Sequence, residues 1–234
     1  METGRRALVI GGSSGIGLAT TRRLIDEGWT VTGMSRSASP IEAPAFTHVV
    51  VDVAAPEFRT KLGNALAEHG PFDVCLYCAG IGDRVDLANL DAETRVFAVN
   101  LMGAVVVSEF VLPTMNARGS GHFVVLSSLA DSLTSGETPG YNASKAAMSS
   151  YFEGLALTLR ARRSPVAITN VRFGFVDTKM AKSPVRPFMI SAERAADVVM
   201  RALRRRPIRV SHPWRMALLV GMLRWLTEWK IRLS

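Results

Sequence analysis

The sequence predicts an α/β fold in which helices cover both faces of a doubly wound parallel sheet of about seven strands. Short apolar runs alternate with helical patterns along most of the chain, and the first run leads through a glycine-rich turn into a helix. The 234 residues, 48% of them hydrophobic and 21% charged, suit one sizeable domain. We therefore expect a single domain over residues 1–234, with 207–234 forming a last strand and an amphipathic helical tail.

The first element is a strand followed by a glycine turn. Ala7–Ile10 reads as a buried strand, and a helical pattern runs from the turn to Gly28. In this arrangement, called Rossmann-type, backbone N–H groups at the helix N-terminus bind the pyrophosphate of a dinucleotide. A tight turn without a ligand is the alternative, which three glycines and two serines in this context disfavour. The predicted cofactor contacts in the turn are Gly11, Ser13, Ser14, Gly15, Ile16 and Gly17.

The second strand, Trp29–Met34, ends where such folds meet the adenosine ribose of the cofactor. An NAD-binding chain usually offers Asp or Glu there for the 2′-hydroxyl. This chain offers Ser35 and Arg36 instead, and a guanidinium attracts a 2′-phosphate. A solvated arginine is the alternative, but the missing carboxylate favours NADP over NAD.

The remaining elements continue the alternation. Asp91 is the expected N-cap of a long helix that reaches about Met115. Because this helix is apolar nearly all round, we expect it to be buried, in part by a second subunit. The other predicted strands are Thr47–Val53, Asp73–Tyr77, His122–Leu126, Val166–Arg172 and Ile208–Val210, and the other predicted helices are Pro56–His69 and Tyr141–Arg162.

Tyr141 and Lys145 lie four positions apart on one of these helices and therefore on the same face. A tyrosine hydroxyl with a pKa near 10 holds its proton at neutral pH, and a neighbouring ammonium lowers that pKa. The pair can therefore act as an acid/base unit. The alternative is a core tyrosine beside a solvated lysine.

Read in order, these motifs resemble the short-chain dehydrogenase/reductase family over roughly residues 5–200. Gly11–Gly17 is similar to the family's glycine motif, and Ser128 stands thirteen residues before Tyr141, which is the spacing of the catalytic serine. The resemblance implies a catalytic tetrad of Asn100, Ser128, Tyr141 and Lys145. It also implies further cofactor contacts at Asp52, Val53, Cys78, Ala79, Gly80, Tyr141, Lys145, Gly174, Val176 and Thr178.

The sequence departs from the family pattern without losing a tetrad member. Phe173 replaces a proline, and Asp131 stands where a glycine is usual. Pro40 and Pro44 lie between the second and third strands, so a helix usual there should be shortened. The remaining departures are Ile10 for a threonine and Tyr77 and Cys78 for two asparagines.

The resemblance implies a mechanism. Tyr141 would protonate a carbonyl oxygen while NADPH delivers hydride, Lys145 would lower the pKa of Tyr141 and hold the ribose, and Ser128 would bind the same oxygen. Asn100 would place a water on a proton path. We expect an NADP-dependent oxidoreductase that interconverts a carbonyl and an alcohol and runs as a reductase. The alternative is a non-catalytic dinucleotide sensor or scaffold, although such proteins usually lose the tyrosine or the lysine.

The substrate is expected to be an apolar small molecule. The segment that should line its pocket, Val176–Ile190, carries Met180, Phe188 and Met189. Cys75 and Cys78 form an isolated C-x-x-C without a second ligand pair, so we expect two inert thiols and no metal site.

The net charge of +8 is concentrated in C-terminal arginines. No nucleic-acid-binding motif accompanies them, so we expect no nucleic-acid partner. The longest uncharged run of the tail, Met216 to Leu223, has 8 residues, too few to span a bilayer. The tail either packs on the protein's own cleft or a partner subunit, or lies in a membrane interface. The in-plane helix would use Trp214, Leu218, Met222 and Trp225.

We expect no signal peptide, because Met1–Arg6 is polar. The expected protein is cytoplasmic and a homodimer or homotetramer. Under the second interpretation of the tail, it is also peripheral on the inner membrane surface.

Overall fold

The computed structural model describes residues 4–180 and 186–233, with side-chain contacts of the last helix described as far as Trp225. Seven strands form one sheet in the order β3-β2-β1-β4-β5-β6-β7, and every pairing is parallel. This confirms the doubly wound sheet. The strands are β1 Arg6–Ile10, β2 Thr30–Ser35, β3 Phe46–Val50, β4 Val74–Tyr77, β5 His122–Ser128, β6 Ala167–Phe173 and β7 Arg209–His212.

The helices cover the sheet on both faces. They are α1 Gly15–Asp26, α2 Phe58–His69, α3 Asp91–Phe97, a π-helical segment Ala98–Met102, α4 Gly103–Arg118, a 3₁₀ turn Leu129–Ser132, α5 Pro139–Ala161, α6 Ala192–Arg205 and α7 Trp214–Leu233. One core lies between the sheet and α2, α4 and α5, and the other between the sheet and α1 and α6.

The central strand β1 explains why its sequence is apolar without interruption. Leu8 and Ile10 enter the first core, whereas Ala7 and Val9 enter the second. A parallel strand covered on both faces needs apolar residues at successive positions, not at alternate ones. Because the strand order reverses between β1 and β4, the carboxyl ends of these two strands border the crevice in which such folds bind ligands.

Two sequence expectations about element ends were wrong. The residue that caps α3 is Leu90, and Asp91 is the first helical residue, where its charge still favours the positive end of the helix dipole. The strand β3 ends at Val50, so Asp52 lies in the turn that follows, with its carboxylate accepting a bond of 3.0 Å from the Ala54 N–H. No helix forms between β2 and β3, in agreement with the effect expected of Pro40 and Pro44.

The helical stretch Asp91–Arg118 is interrupted by the π-helical segment Ala98–Met102. The stretch has 28 residues and contains an 18-residue window with a mean hydropathy of 1.9, so it is long and apolar enough to cross a membrane by length and composition. Its inner face, however, packs Val107, Val111 and Met115 into the core, as a core helix does. Met102 is 52% exposed, so the expected burial holds only for the inner face.

Candidate active site

The glycine turn is compatible only with glycine at the positions that the sequence predicts. Gly11 and Gly15 have positive φ angles of 88° and 52°. A Cβ at Gly11 would lie 2.6 Å from the Ala79 nitrogen, and one at Gly17 would lie 2.1 Å from the Gly11 oxygen. The turn therefore brings bare backbone to the N-terminus of α1, which is the arrangement that binds a phosphate.

The serines of the turn and Ile16 complete this region. Ser14 is the N-cap of α1 with an extended backbone, but its side chain makes no cap bond. Ser13 is partly exposed beside it, and Ile16 packs against the second core. The two serine hydroxyls thus flank the turn, while Ile16 anchors the helix to the sheet.

The ends of β2 and β3 form the region where the adenosine is expected. The Ser35 side chain is buried and already bonded, because its hydroxyl lies 2.7 Å from His48 Nε2 and donates to the Ser37 carbonyl at 3.0 Å. Arg36 is exposed. The charged side chain available to a 2′-phosphate at this strand end is therefore that of Arg36.

Asp52 shares this region with an arginine that the sequence analysis missed. Arg95 of α3 forms an ion pair with Asp52. Partial burial opposes ionisation of Asp52, but the Ala54 N–H and the charges of Arg95 and Arg36 outweigh it and lower the carboxyl pKa. Val53, the next residue, packs against the first core. Arg95 lies 43 residues from Asp52 in sequence, so no local motif could reveal the pair.

Cys78, Ala79 and Gly80 form the mouth of β4. The Cys78 N–H donates to the Ile10 carbonyl at 2.8 Å, which fixes this segment beside the glycine turn. A Cβ at Gly80 would lie 3.5 Å from both Asn100 Oδ1 and Lys145 Nζ. Desolvation raises the pKa of the Cys78 thiol to about 12, although the Lys145 charge opposes it, so the thiol stays protonated. Within residues 4–180 and 186–225 no group of three His, Cys, Asp or Glu could hold a metal ion.

Asn100 lies in the π-helical segment Ala98–Met102. Its side-chain amide accepts a bond from the Ile81 N–H at 2.8 Å and donates to the Ile81 carbonyl at 2.9 Å and to the Ser144 hydroxyl at 3.0 Å. Asn100 therefore joins the loop after β4 to helix α5. The π turn, common at functional sites, was not visible in the sequence because its residues are ordinary apolar helix formers around one asparagine.

Lys145 is buried on α5 with 4% of its surface exposed, and Nζ donates to the Leu126 carbonyl at 2.9 Å. Burial lowers the pKa of its ammonium to about 8. The neighbouring Cys78 and Asp131 side chains oppose this shift only in part. The alternative of a solvated lysine is therefore wrong. Nζ lies 6.0 Å from the centre of the Tyr141 ring.

Tyr141 and Ser128 meet beside this lysine. The Ser128 hydroxyl donates to the Phe173 carbonyl at 3.3 Å and accepts from the Ala130 N–H at 3.1 Å. Burial raises the pKa of Tyr141, while a hydrogen bond with Ser128 lowers it and the charge of Asp131 raises it again. The expectation that the pKa of Tyr141 lies below its usual value was wrong, because desolvation dominates.

Two backbone features hold the tyrosine. Helix α5 starts at Pro139, and the carboxylate of Glu93 in α3 accepts a bond of 2.7 Å from the Gly140 N–H next to Tyr141. A Cβ at Gly82 would lie 2.6 Å from the Tyr141 ring, so the loop after β4 rests on the ring. The backbone next to Tyr141 is thus held from α3, and the ring is covered by the Gly82 loop.

Gly174, Val176 and Thr178 close the cleft on the side of β6. The Gly174 N–H donates to the His212 carbonyl at 2.9 Å, and Val176 forms a parallel bridge with Ile190. A Cβ at Gly15 would lie 3.0 Å from the Thr178 methyl, so this turn faces the glycine turn. The sequence-predicted cofactor residues thus border one crevice at the carboxyl edge of the sheet.

The expected pocket segment Val176–Ile190 is described only in part, since residues 181–185 lie outside the described residues. The Met180 methyl would lie 3.6 Å from a Cβ at Gly80, which places Met180 beside Lys145. Phe188 and Met189 are exposed. Helix α7 adds a wall that the sequence left open, because Met216 lies against Gly174, 3.1 Å from the position of a Cβ there.

The crevice, the glycine turn and the pair of a partly buried Tyr141 and a buried Lys145 are typical of an oxidoreductase of the dinucleotide-binding class. A family model described as short chain dehydrogenase matches residues 5–187. The chain belongs to the short-chain dehydrogenase/reductase family, whose members generally bind NAD or NADP.

Individual relatives agree with this assignment. An uncharacterized oxidoreductase of Myxococcus xanthus is 30% identical over 228 residues, covering 91% of this chain and 89% of the relative. An uncharacterized oxidoreductase of Staphylococcus haemolyticus is 30% identical over 189 residues, covering 76% of this chain and 81% of the relative.

Solved structures support the fold. A short-chain dehydrogenase from Streptomyces avermitilis matches with a TM-score of 0.78 at 22% identity, covering 97% of both chains. The aldohexose dehydrogenase of Thermoplasma acidophilum matches with a TM-score of 0.76 at 22% identity, covering 89% of this chain and 92% of that one.

Proposed function

We propose that the protein is an NADP-dependent reductase that converts an apolar ketone or aldehyde into an alcohol, with Tyr141 as the general acid. The observation that carries this proposal is the meeting of Tyr141 and Lys145, with Nζ 6.0 Å from the centre of the tyrosine ring, at the mouth of β4 beside the glycine turn, where Ser128 lowers the pKa of Tyr141. A tyrosine held in this way can deliver a proton to an oxygen that also accepts a bond from serine.

The residues present fit the cofactor. The positive φ angles of Gly11 and Gly15 and the absence of side-chain volume at Gly17 leave backbone N–H groups at the N-terminus of α1 for a pyrophosphate. Arg36 would hold the 2′-phosphate, and the exposure of its side chain supports this role. When bound, NADPH supplies the hydride.

The chain's own side chains would divide the remaining work. Lys145, with a pKa of about 8, is still an ammonium at neutral pH and can hold ribose hydroxyls. Ser128 would orient the substrate oxygen toward Tyr141. Asn100 fixes Ile81 and Ser144, so it would keep the loop and α5 at a constant distance while a water relays the proton.

The test is absorbance at the reduced nicotinamide band with a panel of apolar ketones and aldehydes. The proposal expects NADPH consumption with at least one member. Tight NADPH binding without turnover across an exhaustive panel would favour the non-catalytic sensor. A preference for polar sugars would contradict the apolar substrate class, which rests on Met180 and Met216 beside the cleft.

A homodimer or homotetramer is the proposed assembly. Tyr151 and Leu157 on α5, like Met102 in the π segment, are large apolar side chains exposed in the single chain. Sedimentation velocity tests the assembly, since a monomer at micromolar concentration would contradict it.

We also propose that the protein is cytoplasmic and that the outer face of its helix α7 contacts an anionic membrane surface. Val220 is buried on its inner face, whereas Trp214, Leu218, Met222 and Trp225 are 62%, 61%, 69% and 68% exposed at helical spacing. The charged residues within 214–225 are both arginines, Arg215 and Arg224. The other C-terminal arginines do not all lie on this face. Arg206 lies near His122 at the amino end of β5, where its charge helps to lower the histidine pKa.

Vesicle co-sedimentation at low salt tests this contact. The full chain should bind anionic vesicles, and the double variant Trp214→Ser, Trp225→Ser should not. Leu87→Ser, which removes an exposed apolar side chain from the loop between β4 and α3, is the control and should bind normally. If the full chain does not co-sediment with the vesicles, or if the control loses binding as much as the double variant does, the membrane contact is contradicted. The apolar face of α7 would then serve an interface between subunits.

A further inference from the structure

The turn that carries Arg36 is held from the side by a histidine of the neighbouring strand. His48 of β3 lies opposite Gly33 of β2 in the register of the two strands. Its Nε2 lies 2.7 Å from the Ser35 hydroxyl oxygen, and that hydroxyl donates to the Ser37 carbonyl at 3.0 Å. The serine hydroxyl therefore closes a turn with Arg36 at its centre, and the histidine binds that hydroxyl.

The two bonds at Ser35 use one proton each. Ser35 has one hydroxyl proton, which goes to the Ser37 carbonyl, so its oxygen can accept from the Nε2–H of His48. Partial burial lowers the pKa of His48, so the ring carries a single proton at neutral pH, and the Nε2 tautomer supplies the donor. The histidine thus fixes the orientation of the hydroxyl that closes the turn.

The neighbouring residues give the histidine ring its place. A Cβ at Gly33 would lie 2.9 Å from the Phe46 ring and 3.1 Å from His48 Cδ2, so a side chain at this position would displace both rings. Phe46 stacks on His48, with the ring centres 5.9 Å apart and the planes 28° from parallel. Because side chains alternate along a strand, Gly33 and Ser35 share a face, and the histidine reaches along that face to the serine.

The backbone is anchored as far as Ser35 and leaves the sheet after it. The Gly11 N–H donates to the Met34 carbonyl at 2.7 Å, and the Val51 N–H donates to the Ser35 carbonyl at 2.9 Å. Residues 36–45 are all described and form no helix. The turn that carries the arginine is therefore not held by a helix of its own, and the side-chain bond from β3 restrains it instead.

We propose that His48 is a positioning residue for cofactor choice, because through Ser35 it holds the turn that presents Arg36 to the 2′-phosphate of NADP. The proposal rests on the NADP preference proposed above. An arginine on a loose turn can still bind a phosphate, but a turn that is already ordered loses less conformational entropy when the phosphate binds. His48 acts on affinity through the turn and does not itself contact the phosphate.

Titration calorimetry with adenosine 2′,5′-bisphosphate and with AMP tests this role without turnover, because only the first ligand carries a 2′-phosphate. His48→Phe keeps an aromatic ring beside Phe46 and removes the donor. Its affinity for the bisphosphate should fall about three- to tenfold, the range expected for one neutral hydrogen bond, while its affinity for AMP stays the same. The KM for NADPH should rise by the same factor, with kcat and the KM for NADH unchanged.

Further variants separate positioning from direct contact. His48→Gln has an amide nitrogen that can replace Nε2 as the donor, so it should recover most of the affinity. Adding His48→Phe to Ser35→Ala should cost nothing more than Ser35→Ala alone, because both changes remove the same bond. Adding it to Arg36→Ala should also cost nothing more, since no guanidinium remains to be positioned. If His48→Phe does not fold, Ser35→Ala tests the same bond from its other end.

His69→Phe is the matched control. His69 is the last residue of α2, and its carbonyl accepts a bond of 3.2 Å from Arg6 at the amino end of β1, so neither affinity should change.

The two possible failures are distinguishable. An unchanged affinity of His48→Phe for the bisphosphate, an equal loss for AMP, or a further loss in the Arg36→Ala background would overturn the role of His48 and leave the NADP preference in place. If the unmutated protein instead binds AMP as tightly as the bisphosphate, the NADP preference fails, and the role of His48 fails with it.

Discussion

The two ends of the crevice are built in different ways. At the catalytic end, Lys145 and Asn100 are buried, and each is bonded to backbone groups of other elements. At the adenosine end, Arg36 is exposed and Asp52 is partly exposed. Under the proposed function, the comparison teaches that the chemistry would depend on buried, hydrogen-bonded groups, whereas cofactor choice would depend on side chains that water reaches. Substitutions at the first end should act on kcat, and those at the second on KM.

The largest expected effect belongs to Lys145→Met. Turnover should fall about 10²–10⁴-fold, because the acid/base unit loses its ammonium. The folded protein should nevertheless be as stable as the wild type or more so, since a buried amine whose pKa falls from 10.5 to about 8 is destabilising while it is charged. Assays of turnover and thermal unfolding at pH 7 check both statements.

The pH dependence of that stability difference sharpens the prediction. Between about pH 8 and 10.5 the unfolded wild type holds the Lys145 proton that the folded state has released. Wild-type stability should therefore rise with pH through this window relative to Lys145→Met. Lys61→Met, at a partly exposed lysine of α2, is the control for the loss of a lysine side chain. If the stability advantage of Lys145→Met over the wild type instead widened with pH, Lys145 would not be desolvated in solution.

Asn100→Ala should have the next largest effect and act on both stability and turnover. It leaves the partly buried Ile81 N–H and carbonyl without their side-chain partner, which costs at most about 1–3 kcal/mol. Turnover should fall while the KM for NADPH changes little, because Asn100 lies at the catalytic end. Denaturant unfolding and steady-state kinetics measure the two parts, and a change confined to the KM for NADPH would contradict the contrast between the ends.

Arg36→Ala should have the smallest effect and act through KM. A charge-assisted contact with a phosphate contributes roughly 1.5–3 kcal/mol, so the KM for NADPH should rise about tenfold or more while that for NADH stays constant. Arg160→Ala removes an exposed arginine near the C-terminal end of α5 and should change neither value. Equal efficiency with NADPH and NADH in the unmutated protein would rule out the NADP preference.

The sequence was informative where chemistry needs fixed local spacing. The glycine turn and the Tyr141–Lys145 pair are such patterns, and the parallel sheet of about seven strands followed from the alternation of strands and helices, although its strand order did not. Contacts between distant segments were not predictable. The pairs Arg95–Asp52 and Arg172–Asp131 join residues 43 and 41 positions apart, and arginines at those positions look like ordinary surface charges.

The acidity of Tyr141 could not be predicted for a related reason. The lysine four residues away suggested a lowered pKa, but desolvation depends on what covers the ring, including the Gly82 loop. The tail was predictable in its outward stripe of apolar residues. Its inner contact, Met216 on Gly174, depends on how α7 turns after β7 and has no sequence signature.

The most direct test of the central claim compares Tyr141→Phe with the unmutated protein in a single-turnover assay with NADPH and an accepted apolar ketone. The phenyl ring keeps the packing beneath the Gly82 loop and removes only the proton donor. NADPH should bind with nearly unchanged affinity, and the rate of its oxidation should fall about 10²–10⁴-fold. An unchanged rate in a variant with native circular dichroism would contradict the assignment of Tyr141 as the acid.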